Sequence, residues 1–338
     1  MNLPDIGDII ADTGIVKGVT FMVRKKREIV SERMTAAQTL LKMKNYRFLY
    51  LLLAGAIIWT VIFCYMPLFG LVMAFQDFKI KLGIFGSKFT GLDNFVKVLT
   101  TPNFLASIKN TVIYSGVNLF FGLPFPIIFA LMLNEIRQLR FKKVVQTISY
   151  LPHFLSWISV AGIFYSIFAI DGFYNDLMVR LIGESWERSN IMMNPDNFLG
   201  LIFWSLRWKE IGWGSIIYLA AITGVDPTLY EAAVVDGCNR LKQIRYITIP
   251  CIAPTILILF IMSMGSLFQT NFDQIISFQN LYTQEYTETL NTIAYRQGIQ
   301  GGKYSLTTAL GIMQGLVSFG LVFGSNRVVK KFSGMGIW

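Results

Sequence analysis

An all-α protein that crosses a membrane several times is the fold class this sequence predicts, and three observations predict it. The 338 residues are 54% hydrophobic and only 15% charged, with a mean hydropathy of +0.52, whereas soluble domains carry about a quarter charged residues. Six segments are apolar over the roughly 20 residues needed to cross hydrocarbon. The Lys and Arg residues gather in alternate connections, so the net charge of +10 describes topology and not a nucleic-acid surface.

Taken in order, residues 1–47 form an N-terminal tail containing Arg24-Lys25-Lys26-Arg27, with helix-compatible sequence over about 28–41. Such a basic run binds anionic lipid or simply helps set topology. Asp5, Asp8 and Asp12 and the lack of a short apolar core argue against a secretory signal in this tail. The transmembrane domain then occupies 48–338. Its spans are expected at 46–75, with a tilt or kink at Pro67; at 110–133, interrupted by Gly122, Pro124 and Pro126; and at 145–170, 198–225, 251–270 and 306–329. An even number of spans puts both termini on one side. The tail, 134–143, 226–250 and the C-terminus hold 19 of the 30 Lys and Arg residues, which marks that side as cytoplasmic. The opposite loops include Thr90-Gly91-Leu92-Asp93-Asn94-Phe95 and Asp171-Gly172-Phe173-Tyr174-Asn175, turn-rich and aromatic, suited to meeting a partner or a sugar and equally to plain loop chemistry. In the last span Gly311 with Gly315, and Gly320 with Gly324, predict a face on which a neighbouring helix packs closely.

Two spans carry polar side chains that could line a path. Arg207, Trp208, Lys209 and Glu210 lie in the fourth, with Arg207 about 28 Å from the hinge at 1.5 Å per residue. They either snorkel to the outer interface or line a cavity mouth. Trp208 and Trp213 offer flat faces of the kind that meet sugar rings. In the fifth span Ser263, Ser266 and Thr270 fall on one helical side, followed by Gln269, Asn271 and Asp273. Groups that donate and accept suit a hydroxyl-rich ligand, while the competing reading is interhelical hydrogen bonding. Asn118 and Gln314 invite the same two readings.

Between these spans lies a polar hinge, 226–250, reading EAAVVDGCNRLKQIRYITIP from Glu231. Asp226 before Pro227 is a helix start, Gly237 is a helix stop, and Ala232 with Ala233 leaves a flat surface for close approach. A second short helix with Leu241, Ile244 and Ile247 on one side follows, and Pro250 is expected to close the unit. Two small helices meeting at a bend make an object suited to docking.

Glu231-Ala232-Ala233, Gly237, Ile247, Ile249 and Pro250 reproduce the spacing of the EAA loop, and on these residues the chain resembles the permeases of binding-protein-dependent ABC importers. Ile249 and Cys238 depart from the usual Leu and Ala. Tyr150-Leu151-Pro152-His153-Phe154, Trp208-Lys209-Glu210, Gly212-Trp213-Gly214-Ser215 and Gly336-Ile337-Trp338 resemble the oligosaccharide and polysaccharide branch of the maltose-type permeases, extending the match over about 45–338. The resemblance implies a type I importer permease fold in the cytoplasmic membrane. It also implies a second, homologous permease as heterodimer partner, two ATPase subunits, and an extracytoplasmic solute-binding protein that delivers an oligosaccharide. Glu231, Ala232, Ala233, Asp236, Gly237, Arg240, Ile247 and Pro250 would couple the chain to the ATPase; Arg207, Trp208, Lys209, Glu210, Trp213, Ser263, Ser266, Gln269 and Asn271 would line the substrate path.

No catalytic, cofactor or metal site is expected, ATP and Mg belonging to the partner ATPases. Cys64, Cys238 and Cys251 do not cluster, and His153 is the one histidine. Gly301-Gly302-Lys303-Tyr304-Ser305 lacks the first glycine and the hydroxyl after lysine of a phosphate loop. The rival class is an ion-coupled secondary transporter of a small polar solute, which would want buried carboxylates near mid-membrane; the spans offer only Glu210. A structural assembly factor is the third class, for which a change such as Ser263→Trp would leave transport intact.

Overall fold

The computed structural model describes residues 46–334, 336 and 337. The basic run at 24–27, the helix-compatible stretch at 28–41 and Trp338 lie outside the described residues. The chain divides into two units, Met1–Phe69 and Gly70–Trp338.

In the first unit α1 spans Arg47–Thr60 and widens into a π turn at Val61–Tyr65. The cause is Pro67, whose ring displaces the carbonyl four residues back and which has no N–H to offer. A 3-10 run, Met66–Phe75, carries the chain onward. No side chain of α1 is buried, although the helix is almost wholly apolar, a surface that hydrocarbon accepts and water does not.

The second unit begins with a small antiparallel hairpin, β1 Gln76–Asp77 against β2 Lys88–Phe89, with Gln76 opposite Phe89. The Asn94 amide donates to the carbonyls of Ala74 and Gln76, both at 2.9 Å, so this loop is tied inward rather than presented. Likewise the buried Asn175 donates to Ala169 and Ser189 carbonyls and accepts from Trp186 Nε1. Helix α2 covers Asp93–Thr100.

The second predicted span is two helices, α3 Pro102–Phe120 and α4 Pro124–Glu135, broken where Gly122 and Pro124 predict it. The third departs from expectation. Helix α5, Leu139–Tyr150, ends in a 3-10 turn at Leu151–Phe154, and α6 starts afresh at Trp157–Phe168 with Ser156 accepting from the Ser159 N–H. A continuous 145–170 helix fails because Pro152 removes a donor and the extended Ser156 supplies a cap. Helix α7, Phe173–Ile182, follows, then α8, Phe198–Thr223, the longest rod after the last helix. Helix α8 packs along α4 and crosses α5; a Cβ on Gly212 would overlap the Ser149 carbonyl.

Helix α9, Pro227–Val235, and the one-turn α10, Arg240–Gln243, form the hinge. A π turn, Ile244–Thr248, then runs directly into α11, Ile249–Gly265. Pro250 therefore does not close the unit, contrary to the expectation from sequence. The π turn absorbs its missing donor just as another does before Pro67, and helix continues from Arg240 to Gly265. Helix α12, Phe272–Phe278, and the final α13, Tyr304–Ser333, complete the unit.

Five described stretches are long and apolar enough to cross a membrane: Arg47–Phe75, Pro102–Glu135, Trp157–Ile182, Arg240–Gly265 and Tyr304–Ser333. Helix α8 matches them in length but carries Arg207, Lys209 and Glu210. Packing divides into three clusters. One gathers Tyr114, Trp157, Phe198, Ile202 and Phe278, a second Val98, Phe104, Ile293 and Leu310, and a third Ala130, Tyr218, Ile222 and Ile252. The expected close approach at Gly311, Gly315, Gly320 and Gly324 is not made among the described residues: a Cβ at any of them meets nothing within 4 Å. Helix α13 instead buries Ala309, Leu310 and Ser318, and the tight contact with α11 falls at Gly265, where a Cβ would sit 2.9 Å from Val322 Cγ2.

Candidate functional site

The hinge is a preformed tab. Asp226 caps α9 by accepting from the Thr228 N–H at 2.9 Å, with Pro227 at the first turn. Gly237, at φ +76°, ends the helix in the left-handed conformation. Its N–H donates to Val234 O and the Cys238 N–H to Ala233 O, the paired closure of a Schellman motif. Asn239 then caps α10 through the Lys242 N–H at 3.0 Å. Two bonds fold the tab on itself: Tyr230 Oη with Thr248 Oγ1 at 2.9 Å, and Gln243 Nε2 to the Cys238 carbonyl at 3.1 Å. Ala233 is buried and Ile247 half-buried, while Glu231, Ala232, Asp236, Gly237 and Arg240 are exposed. Arg240 Nε lies 3.9 Å from Glu135 at the end of α4, and Glu231 has no ion-pair partner among the described residues. Val235 is 87% exposed and Leu241 77%; apolar side chains on a rigid polar bend form a surface with nothing yet covering it.

The bond from Thr228 holds the Asp226 carboxyl below its usual range. A depressed folded-state value means the cap acts fully above the unfolded value near 3.8 and is lost as pH falls through the folded one. Asp226→Ala should therefore speed amide exchange at Thr228 and Leu229 at neutral pH, with the difference from the unaltered protein vanishing in strong acid. Equal exchange rates at neutral pH would remove the cap from the account.

A second site is a cavity of about 640 Å³ between α3, α4, α8, α11 and α12. Arg207, Ser263, Ser266, Gln269 and Asn271 line it, as do Asn118 and Thr270. The predicted helical stripe holds for Ser263 and stops there. Helix α11 stops at Gly265, so Ser266 is its cap and 267–271 leave the helix into the cavity wall. Ser263 and Ser266 hydroxyls donate to the Leu259 and Ser263 carbonyls of their own chain segment and not across helices. Thr270 does bond across, to Thr289 Oγ1 at 3.1 Å. Gln314 is a packing residue, donating to the Phe268 carbonyl.

Four expected path residues lie elsewhere. Lys209 is only 4% exposed; its Nζ donates to the His153 carbonyl, lies 3.5 Å from Glu210 and sits over the Trp157 ring. Glu210 accepts from or is bridged to His153 Nδ1 at 2.8 Å. Trp213 stacks one face on the His153 ring, centroids 4.3 Å apart, and stays 44% exposed. Trp208 packs near Phe164. Together these groups clamp the 3-10 turn between α5 and α6 onto α8. The sequence could not announce this because the partner, His153, is far away in the chain.

Tyr114, Ser115, Tyr218 and Gln274 also line the cavity and were not anticipated. The available signal was Tyr114, Ser115 and Asn118 within one turn of an otherwise apolar segment, just before Gly122. Gln274 fixes the wall, donating to Ile202 O at 2.8 Å and Ser205 Oγ at 2.9 Å. Arg207 Nη1 donates to the Gly122 carbonyl at 2.8 Å and Nη2 approaches Asn118 Oδ1 at 3.4 Å, in the break between α3 and α4.

Comparison with known proteins gives consistent results. Residues 122–330 match the family described as the inner membrane component of binding-protein-dependent transport systems. The sequence is 38% identical to the polygalacturonan/rhamnogalacturonan transport system permease protein YteP of Bacillus subtilis (strain 168), covering 92% of this chain and 96% of that one. It is 36% identical to Protein LplB of the same organism, covering 88% and 92%. Among solved structures it is similar to a chain of a bacterial alginate ABC transporter in complex with alginate pentasaccharide-bound periplasmic protein, with TM-score 0.79, 37% identity, and coverage of 88% of this chain and 98% of that chain.

Proposed function

We propose, from the premise that this chain belongs to the family of binding-protein-dependent transport system inner membrane components, that it is the permease subunit of an ATP-driven importer for an oligosaccharide. The chain is a transport subunit and not an enzyme. The observation that carries the reading is mechanical continuity: one helical rod, Arg240–Gly265, begins in the exposed tab and ends beside the cavity, whose wall its Ser263 joins. A motor that grips the tab acts directly on the path.

In this reading six spans cross the cytoplasmic membrane, α8 adding the fourth in chain order to the five apolar stretches, and both termini are cytoplasmic. Two ATPase subunits hold ATP and Mg and receive the bend of Glu231, Ala232, Ala233 and Gly237; Glu231 ion-pairs or caps at that contact. A second, homologous permease completes the pore. A solute-binding protein delivers the sugar from outside. The tab must fit its cleft differently in the two nucleotide states, since equal affinity shifts no equilibrium. The relatives named for polygalacturonan and alginate support a saccharide cargo, and the hydroxyl and amide lining of the cavity supports it independently.

The complex reconstituted in proteoliposomes with its binding protein should take up saccharide only with hydrolysable ATP inside. Collapse of proton and sodium gradients should leave uptake intact. Uptake driven by an ion gradient without ATP would overturn this reading in favour of a secondary transporter, for which no carboxylate lines the cavity among the described residues.

A further inference from the structure

We infer that Arg207 reads the charge of the cargo: its guanidinium pairs with the carboxylate of a uronate residue while the saccharide occupies the cavity. The inference rests on the functional reading above and deepens it by naming an acidic substrate class and the side chain that selects it.

Arg207 is the one charged side chain among the residues lining the cavity. No described carboxylate lies within ion-pair distance of it. Glu210, a turn further along α8, is committed to His153 at 2.8 Å and Lys209 at 3.5 Å. Lys209, the other basic residue of the segment, is turned away and buried against Trp157. The cavity therefore holds a positive charge with no carboxylate in direct contact among the described residues, met only by two oxygens, the Phe203 ring at 5.5 Å and the more distant field of Glu210, an arrangement that an arriving anion would improve.

The guanidinium is also held ready. Of its five N–H donors, one is fixed on the Gly122 carbonyl and one reaches Asn118, while Nε is buried with no acceptor. A Cβ on Gly122 would overlap Nη1, so glycine at the α3–α4 break makes room for the head group. A planar fork with spare donors matches a carboxylate in a way that a hydroxyl does not. The neighbouring Tyr114, Gln269 and Asn271 are left to meet the hydroxyls.

The test uses the reconstituted complex with a single binding protein throughout, so that protein's own preference cancels between variants. Uptake of trigalacturonate is compared with uptake of its methyl ester, which removes the carboxylate charges and adds a methyl group at each carboxyl, a steric change common to all variants. In Arg207→Gln the acid-to-ester uptake ratio should fall about tenfold, the loss expected for a hydrogen bond to a charged group. Arg207→Lys, which keeps the charge without the fork, should retain a ratio between the two. A folding defect lowers both uptakes alike and leaves the ratio unchanged, so an unchanged ratio in Arg207→Gln overturns the inference. Absence of ATP-driven uptake of either probe by the unaltered complex overturns the uronate assignment, whereas absence of ATP-driven uptake of any saccharide that its binding protein carries would bring down the functional reading, and this inference with it.

Discussion

Gly237→Asp should leave a complex that still assembles and still hydrolyses ATP while saccharide uptake falls roughly 10- to 100-fold, the range of a typical coupling free energy. Gly237 sits at φ +76°, where a side chain costs roughly 1–2 kcal/mol, and it closes the Schellman motif that sets the angle between α9 and α10. A Cβ there meets nothing within 4 Å in this chain, so no internal clash is created. The damage falls on the exposed face of the tab, where bulk and negative charge meet whatever grips it. Uptake per ATP hydrolysed is the measurement. Unchanged uptake in this variant would remove the tab from the transport cycle. Gly237→Ala, which adds strain but no charge, should sit between the two.

Lys209→Met should destabilise the subunit by about 2–4 kcal/mol, as expected when one partner of a buried charged network is removed. The lysine is buried against Trp157 and anchors both the His153 carbonyl and Glu210. Without it the 3-10 turn at Leu151–Phe154 loses a donor, and α6 loses its fixed position on α8. Thermal unfolding of the purified complex should shift downward. The double variant Lys209→Met with Glu210→Gln should recover part of the loss, because the carboxylate left behind is then neutral. A melting curve unchanged by the single substitution would show that the clamp contributes nothing.

The sequence made the backbone punctuation of this molecule legible and left much of the side-chain geography hidden. Asp226, Pro227 and Gly237 act locally, through bonds to residues one turn away, and each stands where its chemistry predicts. Gly122 and Pro124 likewise mark a true break. Pro250 misled because a proline signals only a lost donor, and a π turn absorbs that loss without ending a helix. The clamp around Lys209 was invisible for the opposite reason. Its partner lies on another helix, and a basic residue in an apolar segment reads the same whether it faces a cavity or a distant imidazole. Ser263 meets the cavity from within α11, as the stripe expects, whereas Ser266 and Thr270 meet it because the helix ends at Gly265.

The uninterrupted run from Arg240 to Gly265 has a geometric consequence. Its 26 residues make a lever about 39 Å long, with the widened π turn at Ile244–Thr248 and Pro254 inside the helix as its places to flex. A swing of about 10° pivoting at one end displaces the other by about 7 Å at that length, more than the width of a sugar ring. Amplification of this kind asks little of the motor: a modest tilt imposed on the cytosolic end is enough to reshape the aperture at the far one.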